Sequence, residues 1–185
     1  MRLVILGGPG AGKGTQAQRL CPQLQIVWIS TGDMLRQAIV DQTELGQTVQ
    51  TYLDRGELVP DAAMVQLIRQ RLLQPDVGQG WLLDGYPRTA FQAEELDFLL
   101  DELGQRMTEA IWLEVPNLVL VERSLARGRS DDQPDIVQRR IDIFHESAAT
   151  LLDYYTHRHR LFKINGDQPI AQVEQDILAS LSNKQ

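Results

Sequence analysis

The sequence predicts an α/β fold in which a five-stranded parallel sheet is covered by helices on both faces. Five short apolar runs alternate with helical patterns along the chain. Each run is partly branched or aromatic and is bounded by turn residues, which is typical of a buried strand. Continuous apolar strands that alternate with helices indicate a parallel sheet with both faces buried. Such sheets bind ligands beyond the carboxyl ends of their strands, so we expect the functional residues there.

The apolar runs define the strands and the spaces between them define the helices. The predicted strands are Arg2 to Leu6, Ile26 to Ile29, Trp81 to Leu83, Ala110 to Val115 and Leu161 to Ile164. The predicted helices cover 13–23, 61–74, 89–102, 117–127, 134–156 and 169–182. The longest has one apolar stripe at steps of three and four residues, formed by Val137, Ile141, Phe144, Ala148, Leu151, Leu152 and Tyr155. Pro134 precedes this stripe and suits a first helical turn.

Length and composition limit the classes of protein. The 185 residues predict a single core domain, residues 1–185, with 43% hydrophobic and 23% charged side chains. A net charge of -7 argues against general nucleic-acid binding. No apolar run is long enough for a membrane helix, and the one at the start is too short for a signal peptide. Cys21 is the only cysteine, which excludes an internal disulfide and favours a reducing, cytoplasmic location.

A glycine-rich segment follows the first strand and has the spacing of a phosphate-binding loop (P-loop). It runs Gly7-Gly8-Pro9-Gly10-Ala11-Gly12-Lys13-Gly14-Thr15. Glycines allow backbone N–H groups to converge on phosphate oxygens, and the following helix directs its positive end at the same anion. Lys13 would reach the terminal phosphates. The segment departs from the general pattern because Gly14 occupies the usual Ser or Thr position and Thr15 follows it.

The second and third strands also end in polar residues. Ser30 or Thr31 can cap the next helix, and Arg36 then lies one turn inside it. Asp84 closes the third strand. A carboxylate that is buried there needs a partner, and beside a P-loop the natural partner is Mg²⁺ with its waters. Arg88 follows, in position to bind phosphate. A turn capped by Asp61 is expected before the helix over 61–74.

A cluster of arginines follows the fourth strand. Arg123 and Arg127 are four residues apart, on one helix face, and Arg129 follows in a short loop. Arg139 and Arg140 come next, on the long helix, and the pattern alone does not decide which of them points inward. A solvated basic face is the ordinary explanation. Facing cations in an acidic protein would repel one another, however, unless an anion lies between them.

Five motifs, in order and over the whole chain, resemble those of adenylate kinases and their nucleoside monophosphate kinase relatives. They are the P-loop with its Gly14-Thr15 pair, Ser30-Thr31-Gly32-Asp33-Met34-Leu35-Arg36, Asp84-Gly85-Tyr86-Pro87-Arg88, the arginine cluster with Asp131-Asp132, and Asn165-Gly166-Asp167-Gln168-Pro169. The resemblance implies a P-loop kinase fold with a small helical AMP-binding insertion at 30–59 and a short lid at 126–132. It also implies reversible transfer from ATP to AMP, giving two ADP, with Mg²⁺ as cofactor.

The resemblance assigns roles residue by residue. It implies ATP binding by Gly10, Ala11, Gly12, Lys13, Gly14, Thr15, Arg123, Arg127 and Gln168. It implies AMP binding by Thr31, Arg36, Glu57, Leu58, Val59, Gly85, Tyr86, Pro87, Arg88, Gln92, Arg129 and Arg140, with Thr31 and Gln92 at the base. The expected catalytic set is Lys13, Arg88, Arg123, Arg129 and Arg140. Asp84 would hold Mg²⁺ through water, and the short lid lacks the cysteines of a zinc site.

Three other functions compete with this interpretation. A pyrimidine monophosphate kinase has the same fold, but the relatives of that kind tend to have other residues at the positions of Thr31 and Gln92. A nucleotide sensor needs affinity without the full arginine set, because it stabilises no transition state. A P-loop ATPase coupled to motion would leave the acceptor motifs idle. The acidic surface and the mobile elements of such a kinase favour a monomer. We also expect no binding to nucleic acid, because of the net negative charge, and none to a membrane, because no apolar run is long enough.

Overall fold

The computed structural model describes residues 1–129 and 131–183 and contains a five-stranded sheet. The strands are β1 (Arg2–Leu6), β2 (Val27–Ser30), β3 (Trp81–Asp84), β4 (Glu109–Glu114) and β5 (Leu161–Asn165). Their order in the sheet is β2-β3-β1-β4-β5, and every pairing is parallel. The predicted α/β fold with a parallel sheet is therefore confirmed, and the predicted strand ends differ from the observed ones by one residue at most.

Eight α-helices and one 3-10 helix occur in the described ranges. The α-helices are α1 (Lys13–Leu24), α2 (Thr31–Val40), α3 (Glu44–Asp54), α4 (Asp61–Leu72), α5 (Ala90–Glu102), α6 (Asn117–Arg127), α7 (Pro134–His157) and α8 (Ile170–Ser182). A 3-10 helix, Pro75–Gln79, precedes β3. None of these helices is both long and apolar enough to cross a membrane.

The start of α4 differs from the prediction. Asp61 was expected to cap this helix, but Pro60 occupies the N-cap position and no side chain caps the helix there. Pro60 already has extended φ/ψ angles of -51° and 138°, which suit the N-cap position. The helix therefore begins at Asp61 itself, one residue earlier than a cap at Asp61 would allow. The Asp61 carboxylate is instead hydrogen-bonded to α5, through Gln92.

Both faces of the sheet are buried, as the strand pattern predicted. In β1, Val4 and Leu6 pack on one face with α4, α5 and part of α7, whereas Leu3 and Ile5 pack on the other with α1 and α8. The stripe on α7 also faces the core: Val137, Ile141, Leu151 and Tyr155 are buried, and Phe144, Ala148 and Leu152 are partly buried against the core.

The strand order determines where a ligand site can form. The crossover that leaves β1 leads to β2 on one side, whereas the crossover that leaves β3 leads to β4 on the other side, so a crevice forms at the carboxyl end of β1. The P-loop segment follows β1 at this edge, and Asp84 ends β3 next to it. Ser30 ends β2 in register with Asp84. The polar residues that the sequence places at strand ends therefore meet along one edge of the sheet.

Candidate active site

The segment between β1 and α1 forms an anion-binding turn. Gly10 and Gly12 have φ angles of 78° and 92°, in the left-handed region that favours glycine. A Cβ at Gly10 would also collide with the backbone oxygen of Leu120, at 2.4 Å. Gly12 is the N-cap of α1 and has no side chain to bind the first-turn amides. Those amides are therefore available to phosphate oxygens at the positive end of the helix.

Lys13 is held against this turn by two backbone carbonyls. Its Nζ donates hydrogen bonds to the oxygens of Gly7, at 2.8 Å, and of Gly8, at 2.9 Å. Burial lowers the pKa of Lys13 from 10.5 to about 8; Asp84 opposes the shift, and the charge of Arg88 adds to it. A half-buried ammonium with two neutral partners can exchange them for phosphate oxygens, which also compensate its charge.

A single cleft of about 570 Å³ contains the P-loop and the predicted arginines, a size typical of ligand sites. Its lining includes Arg36, Arg88, Arg123, Arg127, Arg129 and Arg140, together with Lys13. Asp33 and Asp84 also line it, so these seven cations outnumber the carboxylates of the lining. The structure thus brings together in space arginines that are up to 104 residues apart, from Arg36 to Arg140. A strongly cationic cleft of this kind suits polyphosphate ligands.

Arg88 and Arg140 are half-buried members of this cationic group. Arg88 Nε donates to the Gly85 oxygen at 2.7 Å. Burial, and next the charge of Arg140, lower the pKa of Arg88 to about 10. Burial likewise lowers the pKa of Arg140. The side chain of Arg140 is 17% exposed, against 54% for Arg139, which pairs with Glu57 instead. The register of α7 therefore places Arg140, not Arg139, in the cleft.

The remaining arginines are held at the rim by carboxylates and one carbonyl. Arg127 donates through Nε to Asp132 at 2.9 Å, and Arg123 donates to the Gly166 oxygen at 2.9 Å. Arg129 approaches Asp33 at 3.9 Å, and Asp33 also pairs with Arg36. Of the predicted lid at 126–132, Ser130 lies outside the described residues. Each arginine thus has an anionic or carbonyl partner that a phosphate could replace.

Asp84 lies beside the first turn of α1, next to Gly14. It is half-buried, and this partial burial raises the pKa of its carboxyl group, although the charges of Lys13 and Arg88 act in the opposite direction. No group of three or more His, Cys, Asp or Glu side chains suited to a metal occurs within residues 1–129 and 131–183. A metal here would therefore have to take most of its ligands from a nucleotide and water.

The two predicted base contacts occupy different surroundings. Gln92, with Glu57, Leu58 and Val59, lines a small pocket of about 20 Å³ between the core and the segment that contains α2 and α3. Thr31 is fully buried behind Gly85, and its hydroxyl donates to the Asp84 oxygen at 3.1 Å. At this volume the pocket has room for only one or two waters. A purine would therefore require the segment with α2 and α3 to move outward.

Gln168 also lines the large cleft. Its Nε2 donates to the Asn165 oxygen at 2.8 Å and to Asp176 at 2.7 Å. The amide nitrogen thus holds the turn between β5 and α8 in place, and a role in base contact would fall to the backbone of that turn.

The comparisons with known proteins agree with this geometry. A family model described as adenylate kinase matches residues 5–160. Adenylate kinase 2 of Nostoc sp. is 60% identical over 98% of both chains. Adenylate kinase 2 of Synechocystis sp. is 50% identical and is covered completely, and an adenylate kinase of Stenotrophomonas maltophilia is 44% identical over 98% of this chain and 99% of its own.

The chain belongs to the adenylate kinase family. Sequence reasoning named Asp33 and the Asp131-Asp132 pair within its motifs but did not predict which cations these carboxylates hold. Asp33 lies three residues before Arg36 on α2, a helical spacing that predicts a pair. Asp61 and Gln92 are 31 residues apart, and no local pattern connects them. Only the packing of α4 against α5 brings these two residues together.

The lowered pKa of Lys13 predicts a pH dependence for an adenylate kinase of this geometry. Because kcat/KM reports the free enzyme, its value for ATP should fall as the pH rises through about 8, where Lys13 loses its proton. Bound phosphates raise that pKa, so kcat at saturating ATP should hold to higher pH. Rate profiles from pH 6 to 10 would check this, with unfolding curves to show that the fold persists. A kcat/KM that stays flat to pH 10 would contradict it.

Proposed function

We propose that this chain transfers the γ-phosphoryl group of ATP to AMP, giving two ADP, and catalyses the reverse reaction. The observation that carries the proposal is the convergence of Lys13 and six arginines on one cleft at the carboxyl edge of the sheet; this cleft contains the P-loop and shares Gly85 and Arg88 with the Gln92 pocket. Two nucleotides whose phosphates face each other would supply negative charge along the whole cleft. This role contributes to adenine nucleotide balance and supplies ADP by salvage.

The residue roles follow from position in the cleft. Residues Gly10 to Thr15 bind the ATP phosphates through backbone amides and Lys13, and Arg123 and Arg127 close on them from α6. Arg36, Arg88 and Arg140 bind the AMP phosphate. The charge that develops on the transferred phosphoryl group is neutralised by five cations, which are Lys13, Arg88, Arg123, Arg129 and Arg140. The AMP base is surrounded by Glu57 to Val59, Gly85 to Pro87 and Gln92, with Thr31 beneath them. These assignments extend the family membership to individual side chains.

The reaction needs no general base from the protein. The AMP phosphate has a second pKa of about 6, so its attacking oxygen is largely deprotonated at neutral pH. The three histidines, His145, His157 and His159, are all exposed and do not line the cleft. The protein therefore contributes position and charge: it aligns the AMP oxygen with the γ-phosphorus for in-line attack. Movement of residues 126–132 over the phosphates would exclude water as a competing acceptor.

The residues fit a magnesium ion delivered with ATP. Asp84 is a half-buried carboxylate beside the P-loop helix, and partial burial raises its pKa in the absence of a dication. It would hold the ion through water, since Mg²⁺ keeps several waters and takes further ligands from substrate phosphates. When bound, the ion neutralises charge on the phosphate oxygens of ATP. The chain's own residues then position the two nucleotides around it.

Chelation should separate activity from folding. With excess EDTA we expect loss of ATP–AMP transfer, because the phosphate charge is no longer neutralised, and restoration by added Mg²⁺. The midpoint of thermal unfolding should stay the same, because we propose no structural zinc. An EDTA-induced drop in the unfolding midpoint would reveal a structural metal and contradict that part of the account.

We further propose a monomer that works in a reducing cytoplasm. Cys21 is buried and free, and burial raises the pKa of its thiol to about 11, so it has little thiolate available to form a disulfide. The net charge of -7 opposes self-association. Light scattering after size-exclusion chromatography should give one mass near 20.9 kDa.

The reverse reaction gives a test that excludes the rival functions. Incubation of the protein with Mg²⁺ and ADP alone should produce ATP and AMP in equal amounts. In the same incubation a sensor or a motor-type ATPase would leave ADP unchanged, and a motor-type ATPase would release inorganic phosphate when ATP alone is supplied. Either of those results would overturn the proposal.

A further inference from the structure

Gln92 has both ends of its amide fixed by the protein. It lies in the first turn of α5 and is 2% exposed. Its Oε1 accepts a hydrogen bond from the backbone N–H of Arg88 at 2.7 Å. Its Nε2 donates to Oδ1 of Asp61 at 2.7 Å. Asp61 comes from a different helix, because it is the first residue of α4 and α4 packs beside α5.

These two partners allow a single orientation of the amide. A flip of 180° would set Nε2 against the Arg88 N–H, so that two donors face each other. It would also set Oε1 against the Asp61 carboxylate, which when ionised only accepts hydrogen bonds. Two favourable bonds would thus become two repulsive contacts at a buried group. Of the two partners, only Asp61 is a side chain, so it is the one that a substitution can remove.

The fixed amide still has hydrogen-bonding capacity to offer. A primary amide has two donor hydrogens and two acceptor lone pairs, and one of each is used by Asp61 and Arg88. One hydrogen on Nε2 and one lone pair on Oε1 therefore remain. A 6-aminopurine has an amino donor beside the N1 acceptor, which matches this pair. A 6-oxopurine has the reverse, an oxygen acceptor beside an N1–H donor, and would match only the flipped amide.

We propose that Asp61 is a specificity-determining positioning residue: by fixing the Gln92 amide, it makes the acceptor site prefer a 6-amino over a 6-oxopurine monophosphate. The inference depends on the proposed function, because it takes the Gln92 pocket as the site of the acceptor base. Asp61 acts through Gln92 and touches no substrate itself. Its position at the exposed start of α4 makes it replaceable without opening the core.

The test compares AMP with inosine monophosphate, which differs from AMP only in the pattern at N1 and C6. Asp61→Ala should lower the ratio of kcat/KM for AMP to that for inosine monophosphate by about tenfold, the effect of losing one hydrogen bond that holds the orientation. Asp61→Asn retains an acceptor for Nε2 and should lose about threefold or less. The kcat/KM for ATP should change by less than about twofold in both variants.

The matched control is Asp135→Ala, which removes an exposed aspartate from the first turn of α7 and leaves Gln92 untouched. It reports the general cost of removing a carboxylate from a helix N-terminus. A second control places Asp61→Ala in a Gln92→Ala background. There the substitution should have no further effect on the rate with AMP, because the group on which Asp61 acts is absent.

The outcomes are distinct. An unchanged AMP preference in Asp61→Ala, or an equal loss of AMP rate in the Gln92→Ala background, would overturn the role of Asp61. If the rate with inosine monophosphate is too low to measure, a tenfold loss with AMP that disappears in the Gln92→Ala background supports the proposal. An unsubstituted protein that phosphorylates neither monophosphate would instead refute the proposed function.

Discussion

Replacement of Arg88 by alanine should lower kcat by two to three orders of magnitude with the fold intact. Arg88 lies in the cleft with its Nε bound to the Gly85 oxygen, and burial lowers its pKa to about 10, so it remains charged at neutral pH. Losing one preorganised charge stabiliser in such a site costs about 10²–10³ in rate. Steady-state rates at saturating ATP and AMP would measure the loss.

The control for this variant is Arg71→Ala. Arg71 is half-buried, as Arg88 is, and it donates two hydrogen bonds to Asp76, outside the residues that line the cleft. We expect it to lower the unfolding midpoint slightly and to leave kcat nearly unchanged. If Arg88→Ala retained near-normal turnover, Arg88 would have no part in the mechanism.

Lys13→Met should lower kcat/KM for ATP by about 10³. The ammonium of Lys13 is half-buried at the P-loop, and its present partners are the neutral carbonyl oxygens of Gly7 and Gly8. Methionine keeps most of the side-chain volume but removes both the charge and the donors, so the phosphates would lose their closest cation. Rates at low ATP would report the effect.

Lys163→Met is the matched control, because Lys163 is exposed on β5 and away from the cleft. Its rates should equal those of the unsubstituted protein. A loss of less than tenfold in Lys13→Met would contradict the role proposed for Lys13. Circular dichroism of both variants would separate loss of folding from loss of charge.

The sequence predicts best what is local. The P-loop is a continuous segment whose glycines, lysine and following helix are all visible as spacing, and the polar strand ends follow from the parallel sheet. The inward position of Arg140 came from the resemblance, because a helix pattern in which both neighbours are arginines does not give the register. The structure resolves it through the packing of Val137 and Ile141 against the core.

The partners of the functional side chains were not predictable in the same way. The contact between Asp61 and Gln92 arises from packing between helices distant in sequence, and the approach of Arg129 to Asp33 spans 96 residues. Asp61 also illustrates how a local rule fails. Aspartate is a good N-cap, but Pro60 already supplies the extended backbone of that position, so Asp61 enters the helix and its carboxylate turns to another partner.

The most direct test of the central claim is ADP formation from ATP and Mg²⁺ with AMP, CMP, UMP or GMP offered separately. The account predicts rapid turnover with AMP and much slower turnover with the other three. The amide of Gln92 matches the 6-amino edge of adenine, GMP and UMP present the reverse pattern of donor and acceptor, and the single ring of CMP makes fewer contacts than a purine. Preference for CMP or UMP would leave the fold and phosphate sites in place and contradict the acceptor assignment, and absence of transfer to every acceptor would contradict the kinase activity itself.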